Sequence, residues 1–206
     1  MARDSKPKQF QMRARIAAAA ARIMAEDGID DFALAKRKAA RQLGASETHA
    51  LPGNDEVEAE LKTYLSLYLG DEQRERIAEL RELALETMHE LEAFRPYLGG
   101  GVLKGTASRN AEIDLQLFTD DPKGVEIFLM NRGIAYEVSE QRNYCGDEPR
   151  LVSVLRTEWD GVPVNLAVHS ANDERNVLKA TLMGRPIERA GIAAVRALIE
   201  ESGAAL

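Results

Sequence analysis

Residues 98–115, LGGGVLKGTASRNAEIDL, decide the reading of this 206-residue chain, because a glycine-rich turn is followed at short range by two acidic residues in strand spacing. Gly99, Gly100 and Gly101 follow the run from Phe94 to Leu98, and backbone without side chains can approach an anion closely through its N–H groups. The segment Glu112–Phe118, EIDLQLF, alternates polar and apolar residues with period two, which predicts a half-buried strand with both carboxylates on one face. Two carboxylates so placed suit a Mg²⁺ ion, and a glycine turn beside them suits the phosphates such an ion carries. The plainer alternative is a loop that turns the chain, followed by a solvated strand face.

N-terminal to this stretch the sequence reads as helical. Phe10, Ile16, Ala20, Ile23 and Met24 form the apolar stripe of a first helix that stops at Gly28, and a second runs from about Asp31 to Gly44. After Leu51-Pro52-Gly53, Asn54 can cap a third helix with Asp55 and Glu56 in its first turn, where acids suit the positive end of the helix dipole; Gly70 closes it. A fourth helix is predicted over Asp71–Phe94, with Ile77, Leu80, Ala84, Met88 and Leu91 on one face.

C-terminal to the acidic strand, Thr119-Asp120-Asp121-Pro122 reads as a helix start, with Val125, Phe128 and Leu129 as its buried stripe before Gly133. A short strand over Ala135–Val138 follows, then a charged loop over 139–149, with Asn143, Cys145 and Gly146, that could sit over a site or simply connect. Asp160-Gly161 between two alternating runs then signals a hairpin with a two-residue turn, so facing residue numbers should sum to 321. That register pairs Leu155 with Leu166 and Thr157 with Val164 on one face, and Arg156 with Asn165 and Val152 with His169 on the other. His169 reads as a satisfied strand-end imidazole, and His49 and His89 as surface residues. From Ala171 onward the chain reads as helical, interrupted at Gly184-Arg185-Pro186, with Ile187, Ile192, Val195, Leu198 and Ile199 as apolar positions.

Composition frames these elements. The 45% hydrophobic content suffices for a core, and the net charge of −7 is uneven. Residues 1–50 hold ten Lys/Arg against six Asp/Glu, residues 51–100 five against twelve, and the remainder twelve against sixteen. With no global basic excess, extended contact with nucleic acid is not expected; Lys36-Arg37-Lys38 with Arg41 could touch phosphates locally or form a solvated helix face. Cys145 is the only cysteine, which rules out an intrachain disulfide and suits a reducing compartment. The Ala17–Ala21 run is too short and weakly apolar for a membrane span or secretory core, so a cytoplasmic location is expected.

At Gly100-Gly101 and Glu112-Ile113-Asp114-Leu115 the chain resembles the DNA polymerase β-like nucleotidyltransferase superfamily, whose signature is a glycine pair, about ten residues, then acid, apolar, acid, apolar. Val102–Ala107 resembles the small helical turn that such proteins place between the two elements. Gly101 stands where Ser is commoner and Glu112 where Asp is usual. The family's third carboxylate, on a later strand, corresponds to Asn165, and an amide cannot take a proton.

The resemblance implies an α+β fold, with a helical region over 1–95, a nucleotidyltransferase-like core over 96–170 with a small mixed sheet of four or five strands, and a C-terminal helical segment over 171–206. It implies a Mg-bound nucleoside triphosphate and transfer of its nucleotidyl group to a hydroxyl of a small molecule or protein. Glu112 and Asp114 would hold the metal, with Asn165 in the third place. Gly100, Gly101, Lys104, Thr106, Arg109 and Arg156 would bind the nucleotide. The alternative is a nucleotide-binding regulatory or interaction module that kept the fold and lost turnover. The helical region could also pair two copies.

Overall fold

The computed structural model describes residues 5–29, 31–45, 51–68, 70–107, 111–182, 184 and 186–203. The chain is an α+β protein that divides into two compact units: residues 1–75 with 105–111, and residues 76–104 with 112–206. The helix Gly70–Glu90 runs through the boundary between them.

The first unit is built from Ser5–Asp27 (α1), Phe32–Gln42 (α2), Asn54–Tyr68 (α3) and the start of Gly70–Glu90 (α4). Ile16, Ala20, Ile23 and Met24 of α1 pack with Ala35 and Ala39 of α2 and Val57, Leu61 and Leu65 of α3 in one buried cluster. Phe10 departs from the expected stripe and is 72% exposed, because it lies beyond the last residue of α1 that this cluster covers. Asp31 caps α2 by accepting from the Ala33 and Leu34 amides at 2.7 and 3.1 Å, and Gly28 and Gly44 leave their helices in the left-handed conformation that glycine tolerates. Asn54 lies inside α3 rather than ahead of it. The Gly53 amide is taken instead by Glu56, three residues on, which also receives the Arg13 guanidinium from α1.

The second unit is organised around a seven-stranded mixed sheet. Its strands are Pro96–Leu98 (β1), Ile113–Phe118 (β2), Tyr136–Cys145 (β3), Glu148–Trp159 (β4), Val162–His169 (β5), Leu178–Lys179 (β6) and Ala190–Gly191 (β7), in the order β6-β3-β4-β5-β2-β1-β7. Neighbours are antiparallel except β2 and β5, which run parallel. Gly100–Lys104 (α5) follows β1, Pro122–Asn131 (α6) follows β2, and Ile192–Gly203 (α7) ends the described chain. The apolar face expected for α4 is the one buried: Ile77, Leu80, Ala84 and Met88, followed by Leu91, are all under 9% exposed. Each large side chain so buried contributes about 1.5–3 kcal/mol.

The Asp160-Gly161 hairpin has the expected register: Leu155 faces Leu166, Arg156 faces Asn165 and Thr157 faces Val164. Both turn residues have positive φ, 47° and 77°, the geometry whose twist matches that of the flanking strands. Several sequence expectations need correction. Residues 139–149 are not a loop: β3 pairs with β4 along ten residues and turns at Gly146. The segment was illegible as a strand because its side chains are mostly polar and exposed, so the ladder with β4 rather than apolar burial holds it. The sheet therefore exceeds the expected four or five strands. The described residues of 171–191 do not form the expected helix either; they hold a 3₁₀ turn over Ala171–Arg175 and the two short edge strands β6 and β7, with α-helix only from Ile192. Helix α4 ends at Glu90, and a 3₁₀ turn over Glu92–Phe94 delivers the chain to β1.

Candidate functional site

A further correction concerns β2 and sets up the site. Asp114 is exposed, but Gln116 and Phe118 on the same strand face are buried, so β2 is half-buried only at its start. At Phe118 the face is closed by aromatic packing. The Phe118 ring meets Tyr97 edge-on and stacks on His169, and the Arg189 guanidinium lies 4.7 Å from its centroid.

At the open end, registry brings the acidic pair to the hairpin. Asp114 on β2 lies beside Asn165 on β5, which lies beside Arg156 on β4, so all three side chains project from one face. Glu112, two residues before Asp114, joins them. The Asn165 Nδ2 donates to Glu112 Oε2 at 2.6 Å and to Asp114 Oδ1 at 3.0 Å, while its Oδ1 accepts from Arg156 Nε at 3.3 Å. The amide orientation follows from its partners, nitrogen toward the carboxylates and oxygen toward the guanidinium. Arg156 Nη2 also approaches Glu112 Oε2 at 3.5 Å, but with side chains 59% and 34% exposed this pair adds only about 0–1 kcal/mol.

Gly100 completes this end. Its φ is +64°, and a Cβ there would fall 2.2 Å from Asp114 Oδ2. The glycine lets the backbone pass directly over the carboxylate. The neighbouring Gly99 amide donates to the Asp114 carbonyl at 2.8 Å, which ties the turn to β2.

These residues form one end of a cleft of about 400 Å³ that continues along the sheet past Gln116, Ser139, Gln141, Asn143, Val154 and Ala167 to His169. Of the residues singled out from sequence, Gly100, Asp114, Asn165 and Arg156 line it, and Glu112 reaches it through its bond to Asn165. Gly101 and Lys104 belong to α5 and are not among its lining residues. Thr106 is grouped with the first unit, and Arg109 lies outside the described residues.

His169 corrects the expectation of a satisfied imidazole. It is 3% exposed, yet its Nε2 has no hydrogen-bond partner, and burial pushes its pKa down to about 4, with Asp173 opposing and Arg189 reinforcing the shift. The ring is therefore neutral at pH 7. Sequence reasoning also missed Gln116, Gln141 and Arg189, and it placed Asn143 in a loop rather than on a strand. The period-two pattern Ser139, Gln141, Asn143 was the available signal for the polar row on β3.

Two carboxylates converging on one nitrogen provide hard oxygen donors for a Mg²⁺ ion, which commonly takes one or two carboxylates and completes its shell from phosphates and water. Rotation of the Asn165 amide would add Oδ1 as a third oxygen. Among the described residues no group of three or more His, Cys, Asp or Glu side chains stands together. No protein-family model, curated protein or solved structure matches this chain. Among the described residues no helix is long and apolar enough to cross a membrane.

Proposed function

We propose that the second unit binds a nucleoside triphosphate with Mg²⁺ and transfers its nucleotidyl group to a hydroxyl of a small molecule or protein, as the resemblance to polymerase β-like proteins implies. The observation that carries this reading is the convergence of Glu112 and Asp114 on a single point beside Gly100, at the open end of a cleft large enough for a ligand. Glu112 and Asp114 hold the cation, which supplies charge neutralisation for the phosphates. Gly100 leaves room for the Asp114 carboxylate to sit against the turn. Arg156, already within reach of the acids, turns its guanidinium to a phosphate oxygen, a geometry that suits its fork of donors.

A second reading is favoured by one specific observation. Asn165 presents its amide nitrogen to both carboxylates, where a third acid would have completed the metal site and accepted the proton of the attacking hydroxyl. A chain so built binds the nucleotide and turns it over slowly or not at all.

Thermal shift with ATP, CTP, GTP and UTP, each with and without Mg²⁺, tests binding, and transfer of α-labelled nucleotide to small-molecule and protein hydroxyls tests turnover. Mg-dependent stabilisation that Asp114→Asn abolishes, with labelled product, supports transfer. The same stabilisation without product supports the second reading. No stabilisation by any nucleotide removes both.

A further inference from the structure

We infer that the part of the cleft beyond Asp114 is a binding site for an uncharged ring compound bearing vicinal hydroxyls, of the saccharide or nucleoside kind.

The sheet register fixes the floor. Ser139 faces Val154, Val154 faces Ala167 and Ala167 faces Gln116, so one row across four strands is polar at each end and apolar in the middle. The adjoining row places Gln141 beside Val152 and His169 beside Phe118. Val152, Val154 and Ala167 form a separate small apolar patch on the sheet. A hydroxylated ring has the matching distribution, with C–H faces above and below and donors and acceptors around its rim.

Several polar groups at the rim of this patch are short of partners. Gln116 is 7% exposed and its Oε1 accepts no hydrogen bond; His169 is 3% exposed and its Nε2 is likewise unpaired. Buried polar atoms left in this state each cost about 1–3 kcal/mol. Among the described residues, neither Gln141 nor Asn143 makes a side-chain hydrogen bond, and Ser139 spends its hydroxyl proton on the Val154 carbonyl while its lone pairs remain open. Amide, hydroxyl and neutral imidazole groups together offer both donors and acceptors, which is what a hydroxyl, itself both, requires.

Charge narrows the class. Among the described residues that line the cleft, formal charges are confined to Asp114 and Arg156 at its mouth, and Ala180 and Ile187 contribute to the far wall. Beyond Asp114, none of the described lining residues carries a carboxylate, guanidinium or ammonium group; Arg189, packed on Phe118, is not one of the lining residues. The cleft as a whole, mouth included, measures about 400 Å³, within the range of small-ligand sites.

The assignment is independent of nucleotide binding at the mouth; where that reading also holds, the bound ring supplies the accepting hydroxyl. The test is amide chemical-shift mapping on the full chain with methyl α-D-glucopyranoside, N-acetylglucosamine, myo-inositol, adenosine and uridine as separate arms, with spermidine and citrate as charged comparisons. Saturable shifts at residues 139–143, 154 and 167 with a hydroxylated ring, and none with the charged probes, are expected. The arm that responds separates a saccharide from a nucleoside. Gln141→Leu, on an exposed strand position, and Gln116→Leu should each weaken binding roughly tenfold, the loss of about one hydrogen bond. Because Gln116→Leu also removes an unpaired buried oxygen, it should raise the melting temperature as it loses the ligand. Absence of saturable shifts in every hydroxylated arm, equal response to spermidine or citrate, or binding unchanged in both variants overturns the assignment. Thermal shift with Mg-ATP on the same samples reports on the mouth separately, so either reading can fail alone.

Discussion

Substitution of Gly100 by alanine probes the contact on which the site is built. At φ +64° an alanine carries about 1–2 kcal/mol of left-handed backbone strain. Its Cβ would also lie 2.2 Å from Asp114 Oδ2, so the carboxylate must rotate away and release its bond to the Asn165 amide, worth about 1 kcal/mol at this exposed position. The expected cost of Gly100→Ala is therefore about 2–3 kcal/mol. In an Asp114→Ala background the obstructing carboxylate is gone and only the backbone strain of about 1–2 kcal/mol remains. Gly99 serves as the control. It has no positive φ, and a Cβ there meets nothing nearer than the Glu188 carbonyl at 3.5 Å, so Gly99→Ala should lie within about 0.5 kcal/mol of the parent. Trp159, the only tryptophan, sits at the end of β4 and reports urea unfolding of the sheet unit by fluorescence. An equal cost of Gly100→Ala in both backgrounds, or an equal cost at Gly99 and Gly100, would refute the claim that Gly100 exists to admit Asp114.

Other outcomes follow from the same geometry. The unfolded chain binds a proton at His169 below pH 6.5, whereas the folded chain resists until about 4, so stability should fall with pH across that window by up to about 3 kcal/mol and not above it; His169→Phe should flatten this part of a urea-midpoint profile relative to the parent, and superimposable profiles would contradict the unpaired imidazole. Asn165→Asp places three carboxylates together and should lower stability without Mg²⁺, restore it on Mg²⁺ addition, and, with Arg156→Ala, raise Mg-dependent nucleotidyl transfer; a variant whose melting temperature ignores Mg²⁺ would rule out this metal site. Gly161→Ala, at φ +77° in the hairpin turn, should cost about 1–2 kcal/mol while leaving the register intact, measurable by the same fluorescence assay.

The hairpin and the acid pair were legible because local chemistry determines them. Asp160-Gly161 favours one turn geometry, that turn sets the register, and the register carries Arg156 and Asn165 to the place where Glu112 and Asp114 also project. The α4 face was legible for a similar reason, since a 3.6-residue period needs no partner to be recognised. The edge strands β6 and β7 were not. Two-residue strands leave no periodicity, and each is defined by its partner, β3 for Leu178–Lys179 and β1 for Ala190–Gly191. Arg189 was invisible for the same reason, because its packing on Tyr97 and Phe118 depends on where β7 docks.

The failure at β3 has a different cause. A strand is read from sequence by the alternation of core-facing apolar residues with solvent-facing polar ones, and that reading assumes the inner face meets a core. Ser139, Gln141 and Asn143 all lie along one face of β3, and that face meets a cleft. The residues that disguise the strand are the ones left to bond to whatever fills the cleft. The same holds for Gln116, a polar interruption among the buried residues of β2, and for His169 at the end of β5, both held neutral and unpaired where a packed core would have used leucine or phenylalanine. Local departures from the patterns of a core gather along one face of this sheet, where conflict between sequence pattern and burial marks a surface selected for a ligand rather than for stability.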